Sequence, residues 1–157
     1  MRFGDLFENW GLDSLKLNVS FIEAEFKAQP DDQNAAWEMY VYLITTILTQ
    51  RLPDEDGDEK TALDSVYHLF GVTRNILVEY GRKAPGFSKI AVVVLNQIVR
   101  PFTAKWHKLS LAGAFADAGQ CRAFRQELSE LQLNMRRYAA LLADIAKVEN
   151  IIDIEDV

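Results

Sequence analysis

The chain is poor in the residues that build most recognisable active sites. Its 157 residues include one cysteine, two histidines, four prolines and eight glycines. A single cysteine, Cys121, excludes an internal disulfide and any cysteine-based metal cluster, and it fits a reducing compartment. The histidines, His68 and His107, stand in no Glu-x-x-His or His-x-x-x-His spacing, so neither a di-iron bundle nor a zincin site is supported. No Gly-rich phosphate loop and no Gly-x-Ser-x-Gly elbow occurs. Long apolar runs are missing too. Ile90 to Leu95 and Ile98-Val99 are split by Asn96-Gln97, whereas a membrane span needs roughly 20 apolar residues. The first residues carry Asp5 and Glu8 where a signal peptide would be apolar. These absences lead us to expect a cytoplasmic protein with no cofactor, no metal and no membrane contact.

What is present is a globular composition, with 49% apolar and 25% charged residues. The length suits one domain with a real core. The net charge of −6 opposes sequence-independent binding of nucleic acid, which would need a local basic patch.

Apolar spacing predicts four helices. Asp31-Asp32, just after Pro30, offer an N-cap for a helix over 33–51, with Trp37, Tyr40, Ile44, Ile47 and Arg51 recurring at three and four. The acidic loop Asp54 to Glu59 leads into a helix over 59–80, with a seam of Ala62, Val66, Leu69, Thr73, Ile76 and Tyr80 and Gly81 as its C-cap. Pro85-Gly86 opens a third, to about Leu109. A connection over 110–120 precedes a fourth, from about Arg122 to Val148. Phe124, Leu128, Leu131, Met135, Tyr138, Leu142 and Ile145 form its unbroken seam, widened by Leu133 and Leu141. The expected fold is all-α: an antiparallel four-helix bundle with a Pro-kinked third helix and an extended N-terminal segment. We assign 1–157 to one domain, with 1–30 extended or irregular, 31–148 the bundle, and 149–157 a tail that frays or docks. Leu15, Leu17, Val19 and Phe21 alternate with Lys16, Asn18 and Ser20, a strand period, although a helix over 21–28 also fits.

The segment from Leu95 to Leu109 breaks local rules. Pro101 has no N–H, and its ring clashes with the Gln97 carbonyl, so a kink is expected, with Arg100 pushed out of the α region. At about 100° per residue, Leu95, Ile98, Val99, Phe102, Trp106 and Leu109 share one side, opposite Asn96, Gln97, Arg100, His107 and Lys108. Exposure of that polar stripe is the simplest account. The upstream half is apolar all round, however, which would bury Arg100 and Asn96 together against Glu38, Asp64 or Glu127.

Arg100 and His107, with six residues between them, resemble the Arg-then-His signature of HEPN ribonucleases, which are all-α domains of about this size and usually dimeric. The resemblance covers these two residues, and Pro101 stands where that family often has a polar residue. It implies an Arg that stabilises the phosphate and a His that transfers protons, without a metal.

Other candidates read as structural. Asp54, Asp56 and Asp58 alternate like a calcium loop, but Gly57 is misplaced and Ser65 stands where the closing Glu belongs. An acidic helix start explains them. Arg122, Arg125, Arg136 and Arg137 alternate with Glu127, Glu130 and Asp144, as on a salt-bridged helix surface. Arg74 borders the second helix's seam, and Trp37 and Tyr42 leave the first helix little polar surface. The leading expectation is a non-enzymatic interaction module, an adaptor or regulatory subunit, binding a protein partner or forming a homo-oligomer. Its interface or structural residues would be Arg74, Asn96, Arg100, Trp106, Trp37 and Tyr42. The alternatives are the ribonuclease, with Arg100 and His107 catalytic, and a bundle holding a small apolar ligand between the first and third helices.

Overall fold

A computed structural model describes residues 1–155. The described residues are all-helical: α1 (Phe3–Asn9), α2 (Val19–Glu23), α3 (Pro30–Ile44), α4 (Glu59–Tyr80), α5 (Pro85–Val94), α6 (Arg100–Leu111) and α7 (Ala118–Ala146). A π-helical turn, Leu95–Val99, joins α5 to α6, and a short 3-10 turn, Ala114–Ala116, precedes α7. No helix among the described residues is long and apolar enough to cross a membrane.

Helix starts follow local chemistry. The Asp58 carboxylate accepts the Thr61 N–H at 2.9 Å and caps α4. Asp117 does the same for α7 through Gln120 N–H, at 2.8 Å. The expected cap at Asp31-Asp32 shifts to Gln29, because Pro30 at the first position needs no N–H and opens the helix itself. Helix α3 also ends at Ile44 rather than 51. Its terminal carbonyls are taken by side chains: Thr49 Oγ1 donates to Leu43 O at 2.6 Å and Gln50 Nε2 to Ile44 O at 2.9 Å. Gly81 is the C-cap of α4, as expected, with its N–H on Leu77 O, but its backbone is right-handed, with φ of −54°.

The α7 seam is buried throughout, from Phe124 to Ile145, and Leu141 joins it. Leu133 does not; it is exposed. Helix α7 packs chiefly along α3, and the two run in opposite directions. Tyr40 Oη donates to Asn150 Oδ1 at 3.0 Å, while Arg136 Nε donates to Thr49 O at 3.0 Å. The start of the tail is docked, with Ile152 buried and Asp153 2.6 Å from Arg136. Residues 156–157 of the expected tail lie outside the described residues.

The strand expected in 12–28 is absent among the described residues; Arg2 and Glu25 form one isolated bridge. Leu15 and Leu17 do alternate inward on a strap, but the Asn18 side-chain Oδ1 accepts the Phe21 N–H at 2.7 Å and starts α2 instead. The strap is held by a side chain. Gln97 Oε1 accepts Lys16 N–H at 2.8 Å, and Gln97 Nε2 donates to Lys16 O at 2.6 Å, so one amide replaces a neighbouring strand. Phe3, Phe21 and Phe26 then stack the N-terminus on itself, Phe3 and Phe21 with centroids 4.5 Å apart.

Pro101 does not push Arg100 out of the helix; Arg100 keeps φ −58° and ψ −44°. The chain widens before the proline instead: Arg100 N–H reaches back to Leu95 O, one residue further than in an α-helix. This makes room for a ring that has no proton to offer Gln97 O.

Candidate functional site

The polar stripe on α6 and the π turn is exposed at Asn96, Gln97, Arg100 and Lys108, and His107 is half-buried. Burial of Arg100 with Asn96 is therefore not what the fold does. Arg100 Nε donates to Asn96 Oδ1 at 3.0 Å, one turn earlier on the same face. The guanidinium lies over the Phe70 ring of α4, 4.7 Å from its centroid. From Phe70 a string of rings runs along the seam between the two helices. Tyr67 lies 5.3 Å from Phe70, and His107 meets Tyr67 edge-on at 5.0 Å. Phe70 is buried, but Tyr67 is 54% exposed.

None of the three carboxylates expected to neutralise Arg100 reaches it. Glu38 accepts a 2.6 Å hydrogen bond from Tyr80, Asp64 pairs with Lys60 at 2.7 Å, and Glu127 pairs with Lys105 at 2.6 Å. The Glu38 hydrogen bond, followed by burial, holds the Tyr80 phenol protonated, with its pKa pushed up to about 12.

Of the remaining candidates, Arg74 is exposed on α4 one turn beyond Phe70. Trp37, 48% exposed, lies on the outer side of α3 beside Tyr40. Tyr42 is half-buried and faces His68 across a shallow depression that also has Thr46, Ile47 and Ser65 in its wall. Burial pushes its phenol up. Trp106 is core, packed on Phe115 and Phe124. Its indole N–H is buried with no partner among the described residues. Arg100, with Asn96 on it, and the His107 ring thus meet Phe70 and Tyr67, with Arg74 one turn further along α4, whereas Trp37, Tyr42 and Trp106 lie elsewhere.

Arg100 and His107 do not converge on one point. They stand two helical turns apart, about 10 Å along the axis. Each contacts a different ring of α4, and neither lines the larger depressions of the surface. A reacting phosphate would have to touch both at once. No group of three or more His, Cys, Asp or Glu side chains among the described residues is placed to hold a metal ion.

Two residues matter more than their sequence context suggested. Asp32, fully buried, accepts Gln29 N–H at 2.8 Å and Phe87 N–H at 2.9 Å, which ties together the starts of α3 and α5. Its place at the third position of α3 was visible in the sequence; the second partner, in α5, was not. Arg125 is no in-helix salt bridge either. It reaches off α7 to Pro53 O at 2.9 Å, Asp56 O at 3.1 Å and Glu59 at 3.5 Å, clamping the acidic loop. Arg136 similarly leaves its own helix for Thr49 O and Asp153. Cys121, near Glu59, donates to Phe115 O at 3.3 Å; burial and then the Glu59 carboxylate push its thiol up, the opposite of an activated nucleophile.

Comparison with protein-family models, curated proteins and solved structures finds no match for this chain. The resemblance to HEPN ribonucleases stays confined to Arg100 and His107.

Proposed function

We propose that this chain is a non-enzymatic protein–protein interaction module, an adaptor, regulatory subunit or self-associating unit, whose contact face is the strip between α4 and α6. The observation that carries this reading is Tyr67. A large ring left 54% exposed, joined to Phe70, His107 and an Arg100 without a carboxylate, has the composition of an unoccupied interface rather than of a solvated helix face. Arg100 is already held in place by Asn96 and Phe70, which lowers the entropy lost when a partner orders it. In this reading α3, α4, the α5–α6 rod and α7 act as one four-helix bundle, bent at the π turn before Pro101, and they form a single domain with the N-terminal strap. The lone cysteine supports a cytoplasmic setting.

The test is affinity capture from the native cell compared across wild type, Tyr67→Ala and Arg100→Gln, with sedimentation velocity on the same three proteins. A partner or a dimer present for wild type and lost in both variants supports the reading. Metal-independent RNA cleavage that vanishes in Arg100→Ala and in His107→Ala would replace it with the ribonuclease.

A further inference from the structure

We propose that Arg74 and Arg100 form a carboxylate anchor on this strip, and that its ligand is an acidic segment of a protein partner. The inference rests on reading the strip as an interface and adds the chemistry of what it holds. Along α4, Tyr67, Gly71 and Arg74 are spaced four and three, so they form one stripe, with Phe70 beside it. Gly71 leaves a notch in that stripe: a Cβ built on it would meet nothing within 4 Å. One side of the notch is Tyr67 and the other is Arg74, one turn beyond Phe70. Across Phe70 stands Arg100, which spends Nε on Asn96 and stacks its plane on the ring.

That arrangement leaves the terminal guanidinium nitrogens of Arg100 free to donate in parallel, the geometry that matches a carboxylate. No carboxylate pairs with Arg74 or Arg100 among the described residues. Arg74 stands exposed one turn along α4 from the Phe70 ring that Arg100 covers, and a ligand with two negative groups could pair with both cations. The ligand's backbone would cross the open Gly71 notch, with an apolar side chain on Tyr67. A nucleic-acid strand is the poorer match, because two arginines offer no run of cations to follow a repeating phosphate backbone, whereas a short segment can place two carboxylates on them.

The probe is the synthetic peptide Ac-Glu-Glu-Phe-Glu-Glu-amide, titrated into the full chain and followed by the arginine Nε–H signals in 15N NMR. The controls are its Gln-for-Glu counterpart and a uridylate hexamer. The Glu peptide should shift the Arg100 Nε–H signal, while the Gln peptide should bind about tenfold or more weakly. Arg74→Gln and Arg100→Gln should each weaken the Glu peptide by about fivefold or more, and Arg100→Lys should restore only part of the loss. Gly71→Gln, a better helix former at a position where a Cβ meets nothing within 4 Å, should keep the fold and block binding, whereas Gly71→Ala should keep both. Unchanged affinity in both Arg→Gln variants, equal binding of the two peptides, or tighter binding of the hexamer would overturn the anchor. If Tyr67→Ala still abolished partner capture while the arginine variants did nothing, the anchor alone would fall.

Discussion

The guanidinium of Arg100 rests 4.7 Å above the ring of Phe70, with no carboxylate beside it. The contact joins an exposed cation on α6 to a buried ring on α4, and the two partners contribute unequally. An exposed cation–π contact stabilises by about 0.5–1 kcal/mol, whereas deleting a buried Phe costs about 3–5 kcal/mol. Arg100→Ala should therefore lower the unfolding free energy by no more than about 1 kcal/mol, and Phe70→Ala by about 3 kcal/mol or more. Urea denaturation of both variants measures this. A large loss in Arg100→Ala would mean that Arg100 is buried after all.

Asp32 should be far more sensitive. Replacing it with Ala leaves the Gln29 and Phe87 N–H groups without their acceptor at the point where α3 meets α5. The expected loss is about 2–4 kcal/mol, compared with less than about 1 kcal/mol for the same change at half-buried Asp31, which accepts one long hydrogen bond of 3.5 Å from the Asn34 amide. Paired denaturant melts of the two variants check it, and equal effects would contradict the assigned contacts.

Tyr138 carries a hydroxyl that is buried with no partner among the described residues. Burial pushes its phenol far up, so the group stays neutral wherever the protein is folded. Tyr138→Phe removes an unpaired polar atom at nearly constant shape. It should leave stability unchanged or raise it by up to about 1 kcal/mol, whereas a loss above that would reveal a partner for the hydroxyl. Calorimetric melting of the variant decides between these outcomes.

The Gln97 amide is the clasp of the N-terminal strap. In Gln97→Glu the carboxylate still accepts Lys16 N–H but faces Lys16 O without a proton to donate. Hydrogen exchange at residues 14 to 18 should accelerate by about tenfold while the α7 amides keep their protection. Loss of protection throughout the chain would mean that the strap is part of the global folding unit.

The start of α4 should be acid-sensitive. Hydrogen bonds from Thr61, side chain then backbone, hold the Asp58 carboxyl below its ordinary range. For Glu59, burial pushes up, but hydrogen bonds from Cys121 and Arg125 outweigh it and the net shift is downward. Both are carboxylates depressed by folding. Their contribution is thus present above the ordinary carboxylate values and is lost as pH falls through the lower, folded-state ones. The stability gap between wild type and Asp58→Asn or Glu59→Gln, measured by denaturant at about pH 7, should shrink by about pH 3. A gap that widens in acid would reverse the sign.

Much of the helical layout was legible because its causes are local. Asp58 caps α4 three residues before Thr61, Pro85 opens α5, and the four-three spacing of the α7 seam buries every seam residue. Failures came where a contact that periodicity does not encode outcompeted the expected pattern. Thr49 and Gln50 closed α3 early. Leu15 and Leu17 had a strand's period and found the amide of Gln97 instead of another strand. Pro101 produced a wider turn upstream and left Arg100 helical. The candidate site was half visible: the stripe of Asn96, Arg100 and His107 follows from a helical wheel. Which rings it would meet does not, because Tyr67 and Phe70 lie some thirty residues earlier, on another helix.

By itself the sequence determined that the described chain is helical, where most of its helices begin, and which side of α6 is polar, since periodicity and capping act within a few residues. Tertiary structure alone decided that Arg100 stacks on Phe70 with no acid to neutralise it. That outcome depends on how α4 and α6 pack, and on Glu38, Asp64 and Glu127 having found other partners first.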